Sequence, residues 1–126
     1  TGEAMTGGGL GLRSRDLAKL GQLYLDGGVW QGKRLIAADW VQASISAKAQ
    51  VDENTDYGYL WWIKRFATSQ GTVTAWLMSG TGGNKLAVFQ AQKLVAVVTT
   101  TNFRVRGAHD LSERLLTEHV LGAVVN

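Results

Sequence analysis

Trp76-Leu77-Met78-Ser79-Gly80-Thr81-Gly82-Gly83-Asn84 separates two runs of apolar, β-favouring residues, 72–77 before it and 85–90 after it. Glycine, serine, threonine and asparagine replace that pattern abruptly, and glycine supplies backbone angles that other residues avoid. The stretch therefore reads as a turn between two strands. It has two functional readings. One is a plain β-hairpin loop. The other is a substrate-facing edge, where three glycines allow a ligand close to the backbone while Ser79, Thr81 and backbone N–H groups offer hydrogen bonds.

Working outward, residues 57–66 are aromatic and β-branched, with Tyr57, Tyr59 and Trp61 on one alternating face. A turn at 69–71 precedes the run 72–77, and Ala91-Gln92-Lys93 joins 85–90 to a last run at 94–101. Such short connections imply antiparallel pairing. Upstream, Ser14 is expected to cap a helix reaching about Asp26, with Leu17, Leu20, Gly21 and Tyr24 on its apolar face and Gly27-Gly28 as its stop. Residues 29–36 form a connection, and 37–45 a shorter helix pinned by Trp40 and Val41. Residues 46–56 read as a polar surface loop, and the glycine-rich opening, 1–11, as another loop. A final helix over 109–121 turns Leu111, Leu115 and Val120 toward the sheet, with Leu116 beside them. The expected fold is α+β, one domain over 1–126. It is an antiparallel β-meander of about four strands, with two N-terminal helices and a C-terminal helix packed on the sheet.

At 126 residues and 45% hydrophobic, the chain suffices for one core, burying roughly two-thirds of its unfolded surface. The net charge is +3, but Lys33/Arg34, Lys64/Arg65 and Arg104/Arg106 are separate pairs, so nucleic-acid binding has little support. Without cysteine there is no disulfide frame, thiolate metal site or cysteine nucleophile. No apolar run reaches the length of a membrane span.

Few residues invite catalysis. His109 and His119 stand at opposite ends of one predicted helix, roughly 15 Å apart, and read as helix-end histidines that cannot share a metal. Asp52, Glu53 and Asp56 lack the spacing of a calcium loop, so neither metal nor cofactor is expected. Gly7-Gly-Gly-Leu-Gly11 lacks the preceding strand and following lysine of a phosphate loop. Tyr24-Leu25-Asp26 matches a Tyr-x-Asp pattern, yet its place on an amphipathic helix assigns Tyr24 to the core. Trp61-Trp62 reads as a core edge or a sugar-stacking platform. Ser44 and Ser46 lie near Lys48 without forming Ser-x-x-Lys, and no Gly-x-Ser-x-Gly elbow is present. The sequence shows no nucleophile–base pair.

One resemblance spans nearly the whole chain. It is carried by Gly7-Gly-Gly-Leu-Gly-Leu-Arg-Ser-Arg-Asp16, Leu17-Ala-Lys-Leu-Gly-Gln-Leu-Tyr-Leu-Asp-Gly-Gly28 and Trp30-Gln-Gly-Lys-Arg34. Trp40-Val41, Tyr57-Gly-Tyr-Leu-Trp-Trp62, Ser79-Gly-Thr-Gly-Gly-Asn84 and Leu94-Val-Ala-Val-Val-Thr-Thr-Thr-Asn102 continue it. In this order they resemble the C-terminal part of the serine β-lactamase/penicillin-binding-protein-like hydrolases, with their class C and esterase relatives.

The resemblance implies that Met78-Ser79-Gly80 occupies the family's Lys-Thr-Gly box. Ser79 would bind a substrate carboxylate or carbonyl, Gly80 would let the acyl group approach, and the Thr81 backbone N–H would supply one oxyanion-hole donor. Asn102 would lie near the substrate carboxylate. Met78 stands where many members carry a cation, which leans the reading from β-lactams toward esters, amides or peptides. The family's Ser-x-x-Lys and Tyr-x-Asn elements are absent, so the chain is expected to be the C-terminal portion of a catalytic domain, inert alone. Its implied partners are the N-terminal part of that domain and a small acyl substrate, and its implied location is periplasmic or secreted. Exposed apolar surface would make it self-associate. The alternative is a non-catalytic module binding carbohydrate or a peptide strand.

Overall fold

In the computed structural model, which describes residues 8–124, the chain folds as α+β. The first seven residues of the glycine-rich opening lie outside the described residues, and 8–13 carry neither helix nor strand. Helix α1 spans Ser14–Leu25, followed by the small hairpin β1 (Val29–Trp30) and β2 (Lys33–Arg34), then α2 (Ala38–Ser44). Six strands form the main sheet: β3 (Ala49–Asp52), β4 (Thr55–Tyr57), β5 (Trp62–Thr68), β6 (Gly71–Gly80), β7 (Asn84–Phe89) and β8 (Leu94–Val98). Each pairs antiparallel with the next, so the sheet is one continuous meander. The C-terminal helix begins as α3 (Ala108–Arg114), passes through a π-helical segment at Leu115–Val120, and ends as α4 (Leu121–Val124).

The strand count corrects the expected four. Residues 46–56 contribute β3 and β4, and β3 is exposed along its length. An edge strand of this kind is held by backbone pairing rather than burial, so its polar sequence disguised it. The run 57–66 is also not one strand. Gly58–Trp61 breaks it, with Leu60 at φ 65 and the Gly58 N–H bonded to the Trp61 carbonyl at 2.8 Å.

The sheet is covered on both faces, which explains why residues 86–89 of β7 read as an unbroken apolar run. On one face, Ile63, Trp76, Leu86 and Val88 meet Leu17, Leu20 and Tyr24 of α1. Gly21 permits that approach: a Cβ there would stand 2.6 Å from Val95 Cγ1 and 2.8 Å from Leu86 Cδ1. Trp61 is fully buried against Tyr24, ring centroids 4.8 Å apart, and Trp62 meets Tyr57 edge-on at 4.7 Å. On the other face, Phe66, Leu77, Ala87 and Phe89 pack against Leu116 and Leu121.

Three local expectations shift. Arg13, not Ser14, is the N-cap of α1; the Ser14 hydroxyl instead reaches Thr99 Oγ1 at 3.3 Å. Trp40 is exposed and stacks on Tyr59 at 5.5 Å, while Val41 holds α2 to the core. In the C-terminal helix Leu111 and Leu115 face outward, and Ala108, Ser112 and Leu116 are buried in their place. Small residues at 108 and 112 let the helix approach the turn after β6, so size rather than hydrophobicity sets its phase. The π segment then adds one residue to the turn, moving the buried face from Leu116 to Leu121.

Candidate functional site

The turn after β6 is a single 3-10 turn, Thr81–Gly83, in which Gly82 (φ 81) and Gly83 (φ 85) take left-handed angles. It is clamped from two sides. Asn84 donates through Nδ2 to the Thr81 carbonyl at 2.7 Å and accepts the Thr100 N–H at Oδ1, 2.9 Å. The Thr100 hydroxyl donates to the Gly82 carbonyl, and the Ser112 hydroxyl donates to the Gly83 carbonyl at 2.6 Å. A Cβ on Gly83 would collide with the Ala108 carbonyl and lie 2.7 Å from Ser112 Oγ.

Of the residues singled out from the sequence, Gly80, Thr81 and Asn102 gather at this end of the sheet. Asn102 follows β8 half-buried beside the turn, its backbone carbon 3.3 Å from where a Cβ on Gly82 would stand. The Asn102 N–H donates to Thr100 Oγ1 at 3.2 Å. Met78 and Ser79 are separated by the pleat. Met78 packs on the α1 face, whereas Ser79 projects toward α3 on the opposite face.

On that opposite face stands a polar cluster that the sequence reading missed. Lys85 Nζ donates to Ser79 Oγ at 2.9 Å and meets Glu113 Oε1 at 3.3 Å, with its side chain only 4% exposed. Lys64 Nζ binds the other Glu113 oxygen at 2.7 Å, and His109 Nδ1 lies 3.4 Å from Ser79 Oγ. Register held the missing signal. Ser79 and Lys85 are direct cross-strand partners across a hairpin centred on the turn, and His109 and Glu113 are four residues apart on one helix. An ammonium that donates to Ser79 and is ion-paired to a carboxylate is no general base. Ser79 Oγ thus accepts from Lys85 and faces His109 Nδ1 on its other side, where the histidine tautomer decides which of the two donates.

These groups line a cleft of about 280 Å³ between the sheet and α3, completed by Trp62, Leu77, Val51 and Thr55, with Asp52 and Asp110. The Asn54 backbone N–H, then the Thr55 hydroxyl, hold the Asp52 carboxyl below the usual range. Asp56 is consumed by Arg65 at 2.7 Å. Among the described residues no three His, Cys, Asp or Glu side chains converge as metal ligands, and no helix is long and apolar enough to cross a membrane.

No protein-family model matches the chain. Over 59 residues it is 39% identical to the 6-aminohexanoate-dimer hydrolase of Paenarthrobacter ureafaciens, a match covering 47% of this chain and 15% of that enzyme. The chain is thus similar in part to a hydrolase, and the matched segment is a small share of that relative's length.

Proposed function

We propose that this chain is the sheet-bearing C-terminal portion of a serine hydrolase of the β-lactamase/penicillin-binding-protein-like class, cleaving an amide or ester through an acyl-enzyme. The observation that carries the reading is the 39% identity over 59 residues to a hydrolase, whose named substrate is the dimer of an aminocarboxylate. The clamped Thr81–Gly83 turn supports it, since an oxyanion donor acts only when its N–H is held in place before reaction. In this reading the Thr81 N–H faces the developing oxyanion, Gly80 leaves room for the acyl group, and Ser79 and Asn102 hold substrate polar groups. Met78, packed on the α1 face, supplies no cation, and the ammoniums nearest Ser79 come from Lys85 and Lys64 instead. The nucleophile comes from a Ser-x-x-Lys element that this sequence does not contain.

Trp61 is fully buried against Tyr24 and offers no sugar-stacking face, whereas Trp62 is half-buried and lines the cleft. The test is labelling of the full gene product with a chromogenic ester and a β-lactam, followed by mapping of any covalent serine adduct. We expect ester turnover with the adduct outside residues 1–126 and no turnover by this chain alone. An adduct on Ser79, or a full-length product that binds without turnover, overturns the reading.

A further inference from the structure

We propose that the cleft between β6 and α3 binds a small zwitterion, its carboxylate turned to the buried end and its ammonium to the rim. The charges lining this cleft are sorted by depth. At the inner end two ammoniums share a single carboxylate: Lys85 is 4% exposed, Glu113 17% and Lys64 30%. That leaves one positive charge in surplus. The Ser79 hydroxyl accepts from Lys85 and lies 3.4 Å from His109 Nδ1; with the proton of the neutral imidazole on Nδ1, the Ser79 proton is free for a ligand oxygen. Lys64 makes one ion pair through a head group with three donors. At the outer end the order reverses. Asp52 and Asp110 are both exposed, and Asp52 is held ionised by the Asn54 N–H and the Thr55 hydroxyl.

This polarity discriminates. A simple anion would pass two carboxylates on entry, and a simple cation would end against Lys85, so each meets repulsion that a zwitterion avoids. Between the poles lie Trp62 and Leu77, which suit a short methylene segment. The volume, about 280 Å³, stands at the small end of ligand cavities and fits a molecule of amino-acid size. The inference goes beyond the hydrolase reading, because binding here requires no bond to break.

The test compares γ-aminobutyrate, butyrate and butylamine, which share a carbon chain and differ in charge, by amide chemical-shift titration of the protein. γ-Aminobutyrate is expected to shift Ser79, Lys85 and Asp110 with a dissociation constant of about 1 mM or tighter, and the two singly charged compounds to bind at least about tenfold more weakly. Asp110→Asn, on the exposed rim, should bring γ-aminobutyrate down to the affinity of butyrate while leaving butyrate no weaker. Lys64→Met should bring it toward butylamine, and being half-exposed it tests the inner pole even if substitution of Lys85 unfolds the chain. Equal binding of the three compounds, shifts that map elsewhere, or no shift of these amides at roughly tenfold that concentration overturns the proposal.

Discussion

Glu113 serves two lysines at once, and the asymmetry between its partners fixes what happens when either is lost. Lys85 is nearly buried and depends on Glu113 for its countercharge, whereas Lys64 is half in solvent. Removing Lys85 leaves Glu113 still paired with Lys64, so Lys85→Met should cost only about 1–2 kcal/mol. Removing the carboxylate strands a desolvated ammonium, so Glu113→Gln should cost roughly 3 kcal/mol. Urea unfolding midpoints of the two variants check the order, and an equal or reversed loss would show that Lys85 has other support. Asp52 gives a second expectation. Its folded carboxyl is held low, first by the Asn54 N–H, so its contribution is fully present above the ordinary aspartate value, near pH 4, and is lost as pH falls through the lower folded value. Asp52→Asn can still accept the Asn54 N–H but does not titrate. The variant should therefore be less stable than wild type at neutral pH, and the gap should close on acidification. Thermal unfolding from pH 7 down to about pH 2 reads this directly.

Among the elements, the turn and the C-terminal helix are the pair on which the site depends. Gly83 takes a left-handed angle and leaves no space for a side chain beneath the Ala108 carbonyl. Gly83→Ala should therefore destabilise by at least about 2 kcal/mol and displace α3 from the turn. The amide signals of Ser112 and His109 would report the displacement, and a variant with unchanged signals and midpoint would contradict it. This contact also marks where sequence reading stopped. The hairpin was legible, because glycines and β-branched runs act locally. The phase of the last helix was not. Leu111 and Leu115 carry the apolar signal, yet Ala108 and Ser112 are buried because only small residues fit against a glycine turn. The π segment has no sequence mark, and β3, exposed throughout, has no burial pattern to read. The Ser79–Lys85 pair, by contrast, follows from register once the turn is centred on residues 81–83. The contribution of α3, through His109 and Glu113, depends on tertiary docking that no local pattern encodes.

For the whole molecule, both faces of the sheet are already covered, by α1 and by the C-terminal helix, yet large apolar side chains remain outside. Trp40, Tyr59 and Leu60 are exposed on adjoining segments, and Phe103 and Val105 stand near the turn. Leu60 is the informative one: it is 67% exposed and holds φ 65, a left-handed angle that disfavours a residue with a branched apolar side chain. The turn that holds it there bonds the Gly58 N–H to the Trp61 carbonyl and seats Trp61 in the core, while the Leu60 side chain is left on the surface that the proposed N-terminal portion of a catalytic domain would cover. Alone, the chain is expected to cover this surface with a second copy of itself. Leu60→Asn separates the two contributions in one variant. Asparagine tolerates the left-handed angle, so the monomer should gain about 1 kcal/mol, while the loss of apolar surface should weaken association. Sedimentation velocity across a concentration series should show wild type shifting from monomer to dimer and the variant remaining monomeric over the same range. A wild type that stays a compact monomer at every concentration would remove the case for an unfilled partner surface, and a variant that associates as strongly as wild type would move that surface away from Leu60.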